Sequence, residues 1–112
     1  MNIQIFGVKG CFDTQKAERY FKERNIKYQY IDLIKYGLSK GELESVQASV
    51  GLNNLFNISS KDYTRLNLHH ISGSGMRSEI LFKNHKLYRS PIVRNGKRAT
   101  VGYQPEIWKD WE

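Results

Sequence analysis

The sequence predicts an α/β domain built on a four-stranded mixed sheet, in the order β-α-β, helical insertion, β-β-α. Three observations carry this. Hydrophobic periodicity switches from strand to helix and back within residues 1–33, the middle of the chain has repeated helix-start signals, and Asn95-Gly96 sits between two apolar runs near the end. At 112 residues the chain fits one domain, 1–112, with the helical insertion at about 39–85.

Met1 to Val8 sets Ile3, Ile5 and Val8 against Gln4 and Gly7, which suits a short strand, and Lys9-Gly10 turns the chain. From Asp13 the period changes. Ala17, Tyr20 and Phe21 share one face while Gln15, Lys16, Glu18, Arg19, Lys22 and Glu23 share the other, an amphipathic helix that stops near Asn25. Ile26 to Leu33, "IKYQYIDL", is rich in aromatic and branched residues and reads as a second strand. Right-handed crossover makes these two strands parallel, with the helix on one face.

Ser39 to Val50 is the next helix, with Ser39 as N-cap, Glu42 as its capping-box partner and Gly51 at its end. Ser60 to about Asn67 is another, and Gly75 to Asn84 a third, with Met76, Ile80, Leu81 and His85 at helical spacing. Ile92-Val93 and Ala99 to Tyr103 flank Asn95-Gly96 as a hairpin of two antiparallel strands. Gln104-Pro105 opens a last short helix bearing Ile107, Trp108 and Trp111.

This order is the layout of a thioredoxin-like domain. In such open sheets a ligand site forms at the carboxyl end of the first strand, where the following helix begins. Cys11, the only cysteine, stands there. A helix start offers unpaired N–H groups and partial positive charge that favour thiolate, and Lys9 and Thr14 are the expected additional stabilisers. By position alone Cys11 reads equally well as a reactive thiol or as a small buried residue. Pro91, immediately before a strand that enters the sheet, is the candidate cis-proline that would face it.

Two stretches carry a family resemblance. "FGVKGCFDTQKAERYFKERNIKYQYIDL" and "SPIVRNGKRATVGYQPEIW" resemble the opening and the end of the arsenate reductase-like branch of the thioredoxin superfamily, which includes glutaredoxin-coupled arsenate reductases and the transcription regulator Spx. The resemblance implies Cys11 as nucleophile and Pro91 as the cis-proline beside it. It also exposes departures. The positions corresponding to the family's three oxyanion-binding arginines are Asn57, Ser90 and Tyr103, none of them basic, which argues against arsenate as substrate. Arg89, Arg94 and Arg98 are the neighbouring cations available for anion binding. Spx carries a Cys-x-x-Cys switch where this chain reads Cys11-Phe12-Asp13-Thr14, and Gly51 falls where Spx has the glycine used in contacting the RNA polymerase α subunit. Glycine after a helix is also the ordinary C-terminal cap, and that is the more frequent use of such a residue.

The expectation from these residues is a thiol-dependent oxidoreductase with Cys11 as sole nucleophile. No cofactor is expected, and glutathione, another low-molecular-weight thiol or a glutaredoxin resolves the intermediate, since a second cysteine is absent. The alternative is an Spx-like regulator that binds the RNA polymerase α subunit. The net charge of +7 and the pI near 9.6 favour anionic ligands without selecting one, because the cations are spread from Lys9 to Lys109. No nucleic-acid motif is present. His69, His70 and His85 do not make a recognisable ligand set, so no metal is expected, and Gly73-Ser74-Gly75 reads as a loop. Tyr20, Tyr28, Tyr30, Trp108 and Trp111 are expected in the core. With no run near the roughly 20 apolar residues of a membrane span and no charged, apolar and small-residue leader pattern, the protein is expected to be soluble, cytoplasmic and monomeric.

Overall fold

The alternation at the start of the chain builds a central strand. In the computed structural model, which describes residues 1–112, β1 (Ile3–Gly7) lies between two partners: parallel β2 (Tyr28–Asp32), with Ile3 opposite Tyr28, and antiparallel β3 (Ile92–Asn95), with Phe6 opposite Ile92. A hairpin adds β4 (Arg98–Val101), giving the order β2-β1-β3-β4. This is the expected thioredoxin-like mixed sheet. Its hairpin turns at Gly96, whose φ of 63° lies in the left-handed region.

Period-two alternation sends β1 residues to two cores. Ile3 and Ile5 face α1 (Phe12–Glu23) and α6 (Pro105–Lys109), where they are buried with Ala17, Phe21, Val93 and Trp108. Trp108 Nε1 donates to Thr100 Oγ1 at 2.8 Å, so the indole keeps a hydrogen bond while fully buried. Phe6 and Ile92 face the insertion, packed with Leu33, Leu43, Val46, Leu55 and Leu81.

The insertion comprises α2 (Leu33–Tyr36), α3 (Lys40–Val50), α4 (Lys61–Arg65) and α5 (Ser74–Lys83), with 3₁₀ turns at Leu52–Leu55, Leu68–His70 and His85–Leu87. Ser39 and Glu42 form the expected capping box on α3: Glu42 N–H donates to Ser39 Oγ at 3.2 Å and Ser39 N–H to Glu42 Oε1 at 2.8 Å. Ser49 on α3 covers the edge of β4, accepting from Ala99 N–H at 3.0 Å and donating to Ala99 O at 3.1 Å.

Three readings change. Helix α2 is not legible as a helical period because it is one turn long, set by Asp32 Oδ1 accepting from Ile34 and Lys35 N–H at 3.0 and 3.1 Å. In α5 the buried residues are Arg77 and Leu81, while Met76 is 62% exposed and His85 lies beyond the helix. Tyr30 is not a core residue; it stands half-exposed on the edge strand β2, beyond the cover that α1 gives Tyr28.

Arg77 explains why α5 buries a cation. Its guanidinium donates to Leu68 O at 2.7 Å, Ile71 O at 2.8 Å, Tyr63 Oη at 2.9 Å and Asn53 Oδ1 at 3.2 Å, and lies 4.6 Å from the Phe56 ring centroid. One side chain thus ties three segments of the insertion together. Arg77→Ala leaves those acceptors unpaired and is expected to cost about 3 kcal/mol. Urea unfolding monitored by tryptophan fluorescence measures it, and Arg77→Lys is expected to recover less than half because an ammonium cannot reproduce the fork.

Candidate functional site

Strand β1 ends at Gly7, and the chain needs only four residues to reach the start of α1. Gly10, at φ 86°, makes this turn, and Cys11 N–H closes it on Val8 O at 3.0 Å. Cys11 is the N-cap of α1 and is partly exposed. Thr14 is buried in the first turn, where its Oγ1 accepts from Val8 N–H at 3.3 Å. A side chain at Gly7 would strike Thr14 and the Tyr30 ring, so the missing Cβ is what lets both close on the end of β1.

The second half of the site arrives from the far end of the chain. Arg89 N–H donates to Leu55 O at 2.7 Å and Gly102 N–H to Pro91 O at 2.8 Å, pinning the segment on both sides of Ser90. The Ser90-Pro91 peptide is cis. Ser90 Oγ donates to Cys11 Sγ at 3.2 Å, and Sγ lies 3.9 Å from Ser90 O, the acceptor for the protonated thiol. Partial burial pushes the thiol up. The Ser90 hydroxyl, then the Thr14 hydroxyl and the amides of Thr14 and Asp13, outweigh it, and the Cys11 pKa falls below its ordinary value.

The cations sit differently from expectation. Lys9 is exposed and is not among the groups that lower the Cys11 pKa; the work expected of it is done by the Ser90 and Thr14 hydroxyls and the helix-start amides. Arg94 shares the Ile92 face of β3 and turns into the insertion, 2.9 Å from Gln4 Oε1 and 3.7 Å from Glu42 Oε2. Arg98 is paired with Asn95, which is opposite Ile3, so it lies at the other end of the sheet from Cys11, with its guanidinium 5.9 Å from the Trp111 ring. Strand direction, not sequence distance, removes both from the sulfur. Arg89 remains at the Cys11 end, donating to Asn54 O at 3.3 Å.

Of the positions corresponding to the oxyanion arginines, Ser90 alone has a hydrogen bond to the sulfur. Tyr103 stacks edge-on against Trp108, 5.7 Å between centroids, with Lys16 Nζ 5.7 Å above its ring, and Asn57 Oδ1 accepts from Ser59 N–H at 3.2 Å. Gly51 is exposed at the end of α3 with φ 85°. His85 Nδ1 lies 2.9 Å from Ile34 O, His69 packs edge-on against Tyr63, and no three His, Cys, Asp or Glu residues converge as a metal site. Sequence reasoning did not assign Ser90 a role toward the thiol; its place before the proline expected opposite Cys11 was the available signal.

A family model for ArsC matches residues 6–111. The chain belongs to the ArsC family. It is 27% identical over 110 residues to global transcriptional regulator Spx 2 of Oceanobacillus iheyensis, covering 95% of this chain and 80% of that protein. The crystal structure of an ArsC-family-related protein from Bacteroides fragilis superposes with a TM-score of 0.89 at 25% identity, over 100% of this chain and 98% of that one. An arsenate reductase structure from Vibrio cholerae has the same fold, with a TM-score of 0.87 at 20% identity over 98% and 97% of the two chains. Both the reductases and the regulators are therefore among the proteins this ArsC-family chain is similar to.

Because the thiol ionises more readily folded than unfolded, its contribution to stability is full above the unfolded pKa and is lost as pH falls through the folded pKa. The rate of iodoacetamide alkylation against pH is expected to show a midpoint below that of the unfolded chain. Ser90→Ala is expected to move this midpoint upward and slow alkylation at pH 7 by about fivefold.

Proposed function

We propose that this ArsC-family chain is a thiol-dependent oxidoreductase that reduces disulfides through Cys11. The observation that carries this reading is the hydrogen bond from Ser90 Oγ to Cys11 Sγ at 3.2 Å, made at a helix start where the thiol pKa is lowered. Cys11 thiolate attacks one sulfur of a disulfide, a new S–S bond forms, and the other sulfur leaves as thiolate and takes a proton from solvent. An external thiolate then attacks the mixed disulfide and releases Cys11, because the chain has one cysteine and cannot resolve it internally. Glutathione, another small thiol or a glutaredoxin fills that role. Arsenate fits poorly, since Asn57, Ser90 and Tyr103 offer no guanidinium and Arg94 is paired within the insertion.

A second reading is a regulator that contacts the RNA polymerase α subunit. It draws on the Spx relative's 95% coverage of this chain and on the exposed Gly51 at the end of α3. Both readings fit a cytoplasmic location.

Incubation with glutathione disulfide followed by intact-mass spectrometry is expected to give one glutathionyl adduct per chain, removed by excess thiol and absent from Cys11→Ser. No adduct on the wild type overturns the oxidoreductase reading. Retention of the purified α subunit at micromolar concentration, undiminished in Cys11→Ser, is the outcome that establishes the regulator in its place.

A further inference from the structure

The first residue of α1 is Phe12, bonded to Cys11 at the helix cap and 77% exposed, while the other four phenylalanines of the chain are buried or half-buried. Helix periodicity turns it away from the sheet. Thr14, Ala17, Tyr20 and Phe21 make the buried face of α1, and Phe12 heads an exposed stripe on the opposite face with Lys16, Arg19 and Glu23. A lone exposed apolar side chain needs no explanation, but this one adjoins the thiol and leads into a line of charged groups.

Along that stripe a groove of about 190 Å³ lies between α1 and the start of α6, with Lys16, Arg19, Glu23 and Arg24 on one wall and Tyr103 and Pro105 on the other. Lys16 Nζ stands 5.7 Å from the Tyr103 ring centroid, and Gly102, next to Tyr103, donates its N–H to Pro91 O at 2.8 Å, which ties this wall to the cis-proline. Arg24 is 3.9 Å from Glu112 Oε2, whereas Lys16 and Arg19 have no acidic partner within 4.0 Å. Two free cations against the single carboxylate of Glu23 are complementary to an acidic occupant. The volume is below the roughly 300 Å³ at which small-molecule sites begin, and it suits one or two side chains of a larger partner.

We infer that this stripe docks an extended segment of a protein disulfide, with an apolar side chain beside the half-cystine packed on Phe12 and an acidic side chain next along the segment in the groove at Lys16 and Arg19. Phe12 is then the residue that selects a polypeptide over a small disulfide. The spacing fits, because Lys16 is about 6 Å along the helix from Phe12, the reach of two extended residues. The inference rests on the oxidoreductase reading and adds to it the class of substrate. Cys11 thiolate attacks one sulfur of the protein disulfide, that S–S bond breaks, and the second sulfur leaves as thiolate and takes a proton from solvent. The docked segment stays on Cys11 as a mixed disulfide until an external thiolate displaces it.

The test uses the full chain and three probes: the symmetric disulfide of a capped peptide reading glutamate, leucine, cysteine, leucine, glutamate; the same peptide disulfide with lysine for glutamate; and 2-hydroxyethyl disulfide. Each rate of mixed-disulfide formation at Cys11 is divided by that of a free model thiol, the amide of N-acetylcysteine, to remove the reactivity of the probe. The wild type is expected to prefer the glutamate peptide over 2-hydroxyethyl disulfide by about tenfold and over the lysine peptide by about fivefold. Phe12→Ala is expected to lower the first preference by about threefold, and Lys16→Glu to bring the second close to one. Each preference is a ratio in which a change in the thiol itself cancels, and both side chains are exposed, so folding is spared and circular dichroism checks it. Wild-type preferences near one, or a preference that its variant leaves unchanged, overturn the docking surface while leaving Cys11 reactive. Failure of the wild type to react with any of the three probes overturns the oxidoreductase reading and this inference with it.

Discussion

Antiparallel pairing of β1 with β3, with Phe6 opposite Ile92, is the constraint on which the candidate site depends. It sets the turn that follows the end of β1 beside the segment that leads into β3, and so brings Cys11 and Ser90, 79 residues apart, into hydrogen-bond contact. A one-residue slip in that register would exchange the faces of Ile92 and Val93, placing each in the wrong core. Hydrophobic burial on both sides of the sheet therefore holds a polar contact that by itself is worth little.

The helical insertion contributes to the site at one remove. Leu55 O receives Arg89 N–H, and Phe56 bridges to Tyr88, so the segment leading into Ser90 is held by the insertion rather than by the sheet. The insertion is in turn organised around the buried Arg77 fork. A cation is costly to bury, and here carbonyls, a phenol, an amide and the Phe56 ring replace its water. That arrangement explains a helix whose buried face a search for apolar spacing misplaces.

Around the sulfur, neutral donors replace the cations a basic sequence suggests. Lys9, Arg94 and Arg98 are close to Cys11 or Pro91 in sequence, yet their charges lie in solvent, in the insertion and at the opposite end of the sheet, and only Arg89 stays at the Cys11 end. Hydroxyls and amides stabilise a thiolate without creating a binding site for a divalent oxyanion.

The mixed sheet, the helix starting at Cys11, the Ser39 capping box and the Asn95-Gly96 turn were all legible in the sequence, because each rests on local periodicity or on a cap or turn within a few residues. The one-turn helix α2 was not, since a single turn has no period to detect, and Asp32 closes a strand while capping a helix. Neither was the direction of Arg94 and Arg98, which depends on strand pairing, nor the exposure of Tyr30, which depends on where α1 stops covering an edge strand. The sequence by itself determined that one cysteine stands at a strand-to-helix turn. Only the tertiary structure decided what faces it, because Ser90 reaches the sulfur through the pairing of β1 with β3, a contact between residues distant in the chain.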